Sequence, residues 1–378
     1  MLSIAISVAV LAGMMWFTGT PFKELWATLR SLSPWTYLAA LACHLCTYSL
    51  RAMRFWVLIP KPIRPQYRKV WVLGGAHNMA TYLLPAKTGE ASWIVYVRRY
   101  CGVPSAPGIA SLVVSRLLDA AVLASSVSIA VWYLGTTGTF GRFDEVAQYV
   151  SPLGIIGVLL VVLAMRGDLL VHLLSKLLRF SRLHHWELGE KIIEKVTQIA
   201  HAMRRAGRDH SVIKAVLLTI PVWFFIFAFY AILARGMDID LDWEHRLSFP
   251  EAVFGSSLAM LANLLPINGA AGAGTQELGW VTGFKILGVE QSRAFAVGLA
   301  VHFVQLFNVV SVGMFAHFVM RRMDRPDRLD LEAIDAEAAA LEAEIDNDLE
   351  AITLKTPLKS ADTAVDASPE AERNLGDS

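Results

Sequence analysis

Charged side chains recur at a spacing of three residues within long apolar stretches of this sequence. Arg51 and Arg54 lie in one stretch, and Arg116 and Asp119 lie in another. Residues three apart share one face of a helix, and a charge at membrane depth costs about 2.5–3.5 kcal/mol on insertion scales, so it needs a partner or a function. Arg51 and Arg54 could bind a substrate phosphate, or could extend to lipid phosphates at the membrane interface. For Arg116 and Asp119 we expect either an ion pair within the helix or a place in the substrate-binding site, with Arg116 in contact with a phosphate or headgroup.

Two similar polar sequences interrupt two further apolar stretches. Residues 78–90 and 263–277 each contain an asparagine, then Leu-Leu-Pro, then glycine and a single glutamate. Proline removes a backbone donor and glycine frees the backbone dihedral angles, so each helix should break there. The expected breaks are at Pro85, Gly89, Pro266, Gly269 and Gly272. Non-helical backbone at membrane depth must be buried in protein or line a polar cavity, and a matched pair of broken segments indicates the binding site of a transporter.

The charged residues at the breaks have few structural explanations. Lys87 and Glu90 flank the first break, where Glu90 could cap the following helix, but a lysine at this depth is difficult to explain by packing. Glu277 is the only charged residue between residues 252 and 284. Its burial would be relieved by a proton or a basic partner. We therefore expect Glu277 to carry a proton, or to orient Arg116 or Lys87.

Neutral polar residues accompany these charges. Asn78, Asn263 and Asn268 could coordinate substrate, or could bind backbone carbonyls that the breaks release. The last apolar stretch carries three polar residues on one face, His302, Gln305 and Asn308. They could line the same cavity or form hydrogen bonds between helices. The sequence contains no metal-ligand cluster and no nucleophile with a plausible base, so we expect no catalytic residues, no metal and no cofactor.

The composition indicates an all-α polytopic membrane protein. Of the 378 residues, 55% are hydrophobic and 18% are charged, and the mean hydropathy is +0.47, which is too apolar for a soluble domain. Runs long enough to span a bilayer lie near 34–59, 109–134, 211–234 and 292–320, and shorter runs lie at 2–17 and 150–165. These predict six transmembrane helices. The two broken segments, about 70–100 and 251–290, each supply two half-length arms.

Lysine and arginine mark cytoplasmic loops. Basic residues concentrate at 60–69, 97–102, 166–210 and 321–328, and acidic residues concentrate at 235–250. The first broken segment therefore has cytoplasmic flanks, and the second follows an external loop. We expect two re-entrant hairpins that enter from opposite sides, with both termini cytoplasmic. The halves, about 1–134 and 150–320, would form an inverted repeat.

Two segments outside the apolar runs have their own patterns. Residues 166–210 alternate apolar and basic residues, which predicts an amphipathic helix on the inner leaflet or a cytoplasmic linker packed on the hairpins. Residues 324–378 are acidic and rich in Ala and Ser, which is typical of a largely disordered cytoplasmic tail. The expected membrane domain is therefore residues 1–323.

The order of these motifs resembles a known family. The motifs are Arg51-x-x-Arg54, Asn78 with Leu84-Pro85 and Gly89-Glu90, Arg116-x-x-Asp119, and Leu265-Pro266 with spaced glycines before Glu277. Over roughly residues 1–323 they resemble the lysylphosphatidylglycerol synthase transmembrane-region family of flippase-like proteins. The resemblance implies movement of an anionic or aminoacylated lipid between leaflets. Lys87 stands where the family pattern leads us to expect arginine, which keeps the charge but loses bidentate phosphate geometry.

The resemblance also implies what this chain would lack. Family members that synthesise the lipid carry a large soluble aminoacyltransferase domain after the membrane region, whereas about 55 acidic residues follow it here. We therefore expect no synthase activity. The first hypothesis is a lipid translocase of the bacterial cytoplasmic (inner) membrane, with membrane lipids of phosphate headgroup as partners and no nucleic acid. The alternatives are an integral-membrane transferase or hydrolase of lipid phosphates, and a non-transporting partner of a cell-envelope synthase.

Overall fold

The computed structural model describes residues 22–137, 143–165, 210–239, 246–264, 270–324 and 326. All regular secondary structure in these ranges is helical, as the all-α prediction requires. The α-helices are α1 Phe22–Ser31, α2 Pro34–Leu58, α3 Tyr67–Leu83, α4 Ala91–Cys101, α5 Ser105–Thr136, α6 Phe143–Met165, α7 Ser211–Gly236, α8 Phe249–Leu264, α9 Thr275–Ile286 and α10 Gln291–Met320. Short 3₁₀ turns lie at Lys61–Ile63, Pro85–Glu90 and Ala270–Gly272.

Local sequence signals set several helix ends. Ser33 precedes α2, and its hydroxyl accepts a hydrogen bond from the backbone N–H of Thr36 at 3.2 Å, while Pro34 takes the first helical position, where no N–H is needed. Gly102 ends α4 in the left-handed conformation with a φ of 68°. Its N–H donates to the carbonyl of Arg98 at 3.0 Å, which satisfies one of the last carbonyls of the helix.

The first hairpin consists of α3, the turn Pro85–Glu90 and α4. It runs from residue 67 to residue 101, close to the predicted 70–100, and it breaks at Pro85 and Gly89 as predicted. Gly89 is required there because a Cβ atom would overlap the backbone of Ala80 on the opposing arm. Lys87 adopts a φ of 61°, which is uncommon for a residue other than glycine.

The second hairpin consists of α8 and α9, joined through the turn Ala270–Gly272. Residues 265–269 lie outside the described residues, so the predicted breaks at Pro266 and Gly269 are not described. Gly272 has a φ of 78°, in the left-handed region, which agrees with the break predicted there. Gly279 and Gly283 on α9 face the backbone of α8, and a Cβ atom on Gly283 would overlap the carbonyl of Gly255. This small-xxx-small spacing lets the two arms approach closely.

Each hairpin packs its first arm against the last helix of the other half and its second arm against the last helix of its own half. Each half contains a long helix, a hairpin and a second long helix in that order. The first long helices, α2 and α7, pack together, while α3 packs against α10 and α8 packs against α5. Each hairpin therefore contacts the last helix of the other half, and the 3₁₀ turns of the two hairpins also contact each other. An inverted repeat would produce this symmetric packing.

Three of the described helices are both long and apolar enough to cross a membrane, namely α5, α7 and α10. The count of six spans, the re-entrant depth of the hairpins and the sidedness of the loops stay predictions. The expected span 2–17, the core of the acidic loop, almost all of the segment 166–210 and nearly all of the tail 324–378 lie outside the described residues.

Large apolar side chains cover the outside of the described helices. Exposed examples are Trp132, Ile155, Leu217, Phe224, Phe307 and Met314. Charged residues such as Arg54 and Asp119 are instead buried. This distribution, apolar outside and charged inside, suits a protein surrounded by lipid.

Candidate functional site

A cavity of about 200 Å³ lies where the two hairpins meet the long helices. Its walls come from α2, α3, α5, α7, α8 and α10 and from both 3₁₀ turns. The predicted site residues that line it are Arg51, Arg54, Asn78, Lys87, Glu90, Arg116, Asp119, Asn263 and Gly272. Of the other predicted residues, Asn268 lies outside the described residues, and Glu277 is buried beside the second turn.

Asp119 and Arg54 form a buried ion pair in the cavity wall. The two guanidinium nitrogens of Arg54 donate to the two carboxylate oxygens of Asp119 at 2.7 and 2.9 Å, and the side chains are 1% and 3% exposed. Trp223 donates to the same carboxylate at 3.1 Å, and Thr219 accepts from Arg54 at 3.1 Å. The pair joins α2, α5 and α7. The interface interpretation of Arg54 is therefore wrong, because its charge is neutralised inside the protein.

Arg116 links α5 to the first hairpin. It contacts Asp119 at 3.2 Å, as the spacing predicts, but its closer partner is Glu90, which accepts two hydrogen bonds at 2.7 and 3.0 Å. Glu90 occupies the N-cap position of α4 but makes no side-chain capping hydrogen bond there, so its charge favours the helix only through the dipole. The side chains of Arg116 and Glu90 are 36% and 22% exposed, so water screens this pair more than it screens Arg54 and Asp119.

Arg51 and Lys87 give the cavity an excess of positive charge. Arg51 donates to the amide oxygen of Asn78 at 3.2 Å, and the amide nitrogen of Asn78 donates to the hydroxyl of Tyr48 at 2.7 Å. Asn78 thus positions a cation and does not bind a freed carbonyl. Across the described part of the chain, neither Arg51 nor Lys87 has a carboxylate within ion-pair distance. Such unneutralised cations attract an anionic ligand.

A chain of neutral polar side chains continues from the cavity across the second hairpin. Gln305 accepts hydrogen bonds from Tyr230 at 2.9 Å and from Gln276 at 3.0 Å. Gln276 in turn accepts from Asn263 at 3.1 Å and from Tyr82 at 3.4 Å. Because Tyr82 belongs to the first hairpin, the chain connects both hairpins to α7 and α10. Gln305 lines the cavity as the sequence suggested.

Glu277 pairs with His302 behind the second turn. Its carboxylate accepts a hydrogen bond from the N–H of Gly274 at 2.8 Å, which caps α9, and it contacts Nδ1 of His302. The prediction that Glu277 orients Arg116 or Lys87 is therefore wrong. Nε2 of His302 lies 2.9 Å from the carbonyl oxygen of Ala271. Both ring nitrogens of His302 therefore face oxygen atoms, one from Glu277 and one from Ala271.

Among the residues that the structure describes, no group of three His, Cys, Asp or Glu side chains is placed to hold a metal ion. The charged cavity residues instead combine into pairs of opposite sign and two unpaired cations. The chemistry that this arrangement supports is recognition of an anion by arginine and lysine, with tyrosine and amide groups as further hydrogen-bond donors.

Comparison with known proteins assigns the chain to a family. The sequence profile described as "Lysylphosphatidylglycerol synthase TM region" matches residues 3–313, which is most of the 378-residue chain. The chain belongs to this family. It is also 26% identical to the protein "Glycosyltransferase AglD" of Haloferax volcanii, over an alignment that covers 77% of this chain and 49% of the relative. The chain therefore spans about half the length of that relative.

Membership of the lysylphosphatidylglycerol synthase transmembrane-region family, together with the apolar helices, makes the chain an integral membrane protein. Several residues in its cavity were not predicted as site residues, among them Tyr48, Tyr82 and Tyr230. A weak signal exists for the first two, because Tyr48 stands three residues before Arg51 and Tyr82 stands four residues after Asn78, on the same helix faces. Tyr230 and Gln276 carry no comparable signal, since their partners lie on other helices.

Proposed function

We propose that this member of the family is a lipid translocase that moves a lipid with a phosphate headgroup between the two leaflets. The observation that carries the proposal is the cavity between the hairpin turns, where Arg51 and Lys87 have no carboxylate partner among the described residues. Transport proteins commonly place their binding sites between broken helices of two repeats. The protein is proposed to transport and not to catalyse a reaction.

In the proposed cycle the lipid phosphate binds between Arg51 and Lys87. The ion pairs of Arg54 with Asp119 and of Arg116 with Glu90 keep the remaining charges in place. The acyl or isoprenoid chains stay in the bilayer while the headgroup crosses through the cavity. Movement of one half against the other then exposes the cavity to each leaflet in turn, and Glu277, beside His302, is the proposed proton carrier that couples to that movement.

The topology belongs to the same proposal. We place the protein in a bacterial cytoplasmic membrane with both termini inside, because the basic loops lie on one side of the predicted spans. Lys61 and Arg64 belong to one such loop, where Lys61 begins the 3₁₀ turn that follows α2 and Arg64 comes directly after that turn. Labelling of single cysteines placed at residue 61 and at residue 288 by an impermeant maleimide would test this arrangement.

The test of transport is leaflet exchange in liposomes that contain the purified protein. Fluorescent lipids with anionic, aminoacylated and polyprenyl phosphate headgroups are followed for wild type, Arg51→Gln and Lys87→Gln. We expect exchange of one phosphate-lipid class, and loss of most of that exchange in both variants. Matched controls are Arg68→Gln and Lys61→Gln, which change exposed residues outside the cavity. Absence of exchange for every lipid, with protein that is correctly folded, would overturn the proposal.

A second candidate function is supported by the similarity to a protein named as a glycosyltransferase. The chain would then take part in the synthesis of lipid-linked glycans, either as a transferase or as the membrane partner of a cell-envelope synthase. Formation of a glycosylated lipid by the purified protein would favour the transferase. Loss of the synthase's product in Glu277→Gln, with leaflet exchange unchanged, would favour the partner.

A further inference from the structure

On the basis of the translocase function proposed above, we infer that the cavity selects a lipid whose headgroup is a phosphate monoester. Phosphate diesters and aminoacylated headgroups are the competing classes. A monoester carries close to two negative charges at neutral pH, because its second pKa is about 6. A diester carries one negative charge, and an aminoacyl group adds positive charge.

The charges of the cavity favour the monoester. The described lining residues include four cations, Arg51, Arg54, Lys87 and Arg116, and two carboxylates, Glu90 and Asp119. The excess is therefore two positive charges. Each unneutralised charge in a partly desolvated site is unfavourable. A ligand with two negative charges balances the site completely, whereas a diester leaves one cation unpaired.

The carboxylates of the cavity are already engaged by cations, and Asp119 has no capacity left for an ammonium group. Asp119 already accepts hydrogen bonds from Arg54, Arg116 and Trp223. Glu90 accepts two hydrogen bonds from Arg116. The amine of an aminoacylated lipid would have to displace an existing donor at Asp119, and at Glu90 it would share with Arg116 a charge that Arg116 already neutralises. Such a headgroup would also bring positive charge to a site that already has an excess of it.

The donors around the unpaired cations suit a group with three terminal oxygens. Arg51 is fixed by Asn78, and the Nε atoms of Arg51 and Arg54 are buried without a hydrogen-bond partner in the described part of the chain. Tyr48 accepts from Asn78, so its own hydroxyl hydrogen is available to a ligand. Arg51, Tyr48 and Lys87 could each donate to a different oxygen of a monoester. A diester presents only two terminal oxygens.

The size of the cavity points the same way. Its volume of about 200 Å³ lies below the ~300 Å³ at which pockets for larger organic ligands begin. A phosphate attached directly to the lipid fits such a space. An additional glycerol and amino acid beyond the phosphate would require the cavity to expand.

The test compares lipids that share their chains and differ in headgroup. Liposomes with the wild-type protein receive fluorescent phosphatidic acid, phosphatidylglycerol or lysylphosphatidylglycerol in separate assays. We expect phosphatidic acid to exchange at least ~10-fold faster than the diester, which is the effect of one charge-assisted hydrogen bond. A parallel arm measures uptake of labelled inorganic phosphate, and uptake without lipid exchange would assign the site to the free ion and overturn the inference.

Variants test the charge balance itself. Arg51→Gln and Lys87→Gln each lower the excess from two charges to one, so the preference for the monoester should fall ~10-fold, while Arg68→Gln and Lys61→Gln should keep it. Faster or equal exchange of the diester or the aminoacylated lipid by wild type would overturn the inference and leave the translocase proposal intact. Exchange of no lipid would overturn both. If the variants do not fold, the headgroup preference of wild type decides alone.

Discussion

Arg54 and Asp119 form a buried ion pair, so we expect the protein to lose stability when either residue is removed and the other keeps its charge. The shortest distance between a guanidinium nitrogen and a carboxylate oxygen is 2.7 Å both in this pair and in the pair of Arg116 and Glu90. The side chains of Arg54 and Asp119 are 1% and 3% exposed, whereas those of Arg116 and Glu90 are 36% and 22% exposed. Removing one partner of a buried pair leaves an uncompensated charge and costs about 3–5 kcal/mol. An exposed pair contributes about 0.2–1 kcal/mol. We therefore expect Arg54→Met or Asp119→Leu to lower the free energy of unfolding by about 3–5 kcal/mol, and Glu90→Gln by about 1 kcal/mol.

The double variant Arg54→Met/Asp119→Leu tests whether the two residues stabilise the protein by pairing with each other or independently. Apolar residues of similar volume often replace a buried pair without loss, but the buried N–H of Trp223 would lose its acceptor, so the stability of the double variant should return to within about 1–3 kcal/mol of wild type. The assay is unfolding in mixed micelles of a mild detergent and dodecyl sulfate, followed by tryptophan fluorescence. A double variant that loses the sum of the two single effects would refute the reasoning, as would equal effects at Asp119 and Glu90.

Two further stability predictions use the same assay. Gly283→Ala should lower the free energy of unfolding by about 1–3 kcal/mol, because its new methyl group would press on the carbonyl of Gly255 and separate the arms of the second hairpin. The control is Gly74→Ala, whose Cβ atom would meet its nearest neighbour at 3.7 Å. It should change the free energy of unfolding little. Glu277→Ala should cost about 2–4 kcal/mol because it removes both the cap of α9 and the partner of His302. Glu277→Gln keeps an acceptor for the capping hydrogen bond, so it should lower the free energy of unfolding by about 1 kcal/mol less than Glu277→Ala does. Equal effects of the two substitutions would mean that the cap does not contribute to stability.

The sequence was sufficient to locate the first break, at Pro85 and Gly89, and the charged residues that line the cavity. Pro85 and Gly89 act on the backbone next to them, so their effect is local and does not depend on the fold. Charges such as Arg51 and Asp119 stand out because an apolar run tolerates few of them. These signals explain why the predicted hairpin 70–100 agrees closely with α3 and α4, and why most predicted site residues line one cavity.

The pairing of those residues could not be predicted, because it depends on contacts between distant helices. Asp119 has two arginines within reach, and only the fold shows that Arg54, 65 residues away, is the buried partner. Glu277 pairs with His302 on α10, although lysine or arginine is the commoner partner of a buried carboxylate. The polar chain through Gln276 and Tyr82 was missed since neutral side chains are less unusual in apolar helices.

The packing of the first hairpin against the last helix affects the order in which the protein can fold during synthesis. Arm α3 packs against α10, which is synthesised more than two hundred residues later. Ribosomes add on the order of 5–20 residues per second, so α3 must wait for tens of seconds before its partner enters the bilayer. During that interval the charges of the first half lack part of their final surroundings. The protein therefore completes its cavity only when α10 has been made, and a chain released before α10 would present an unfinished polar surface to quality-control proteases.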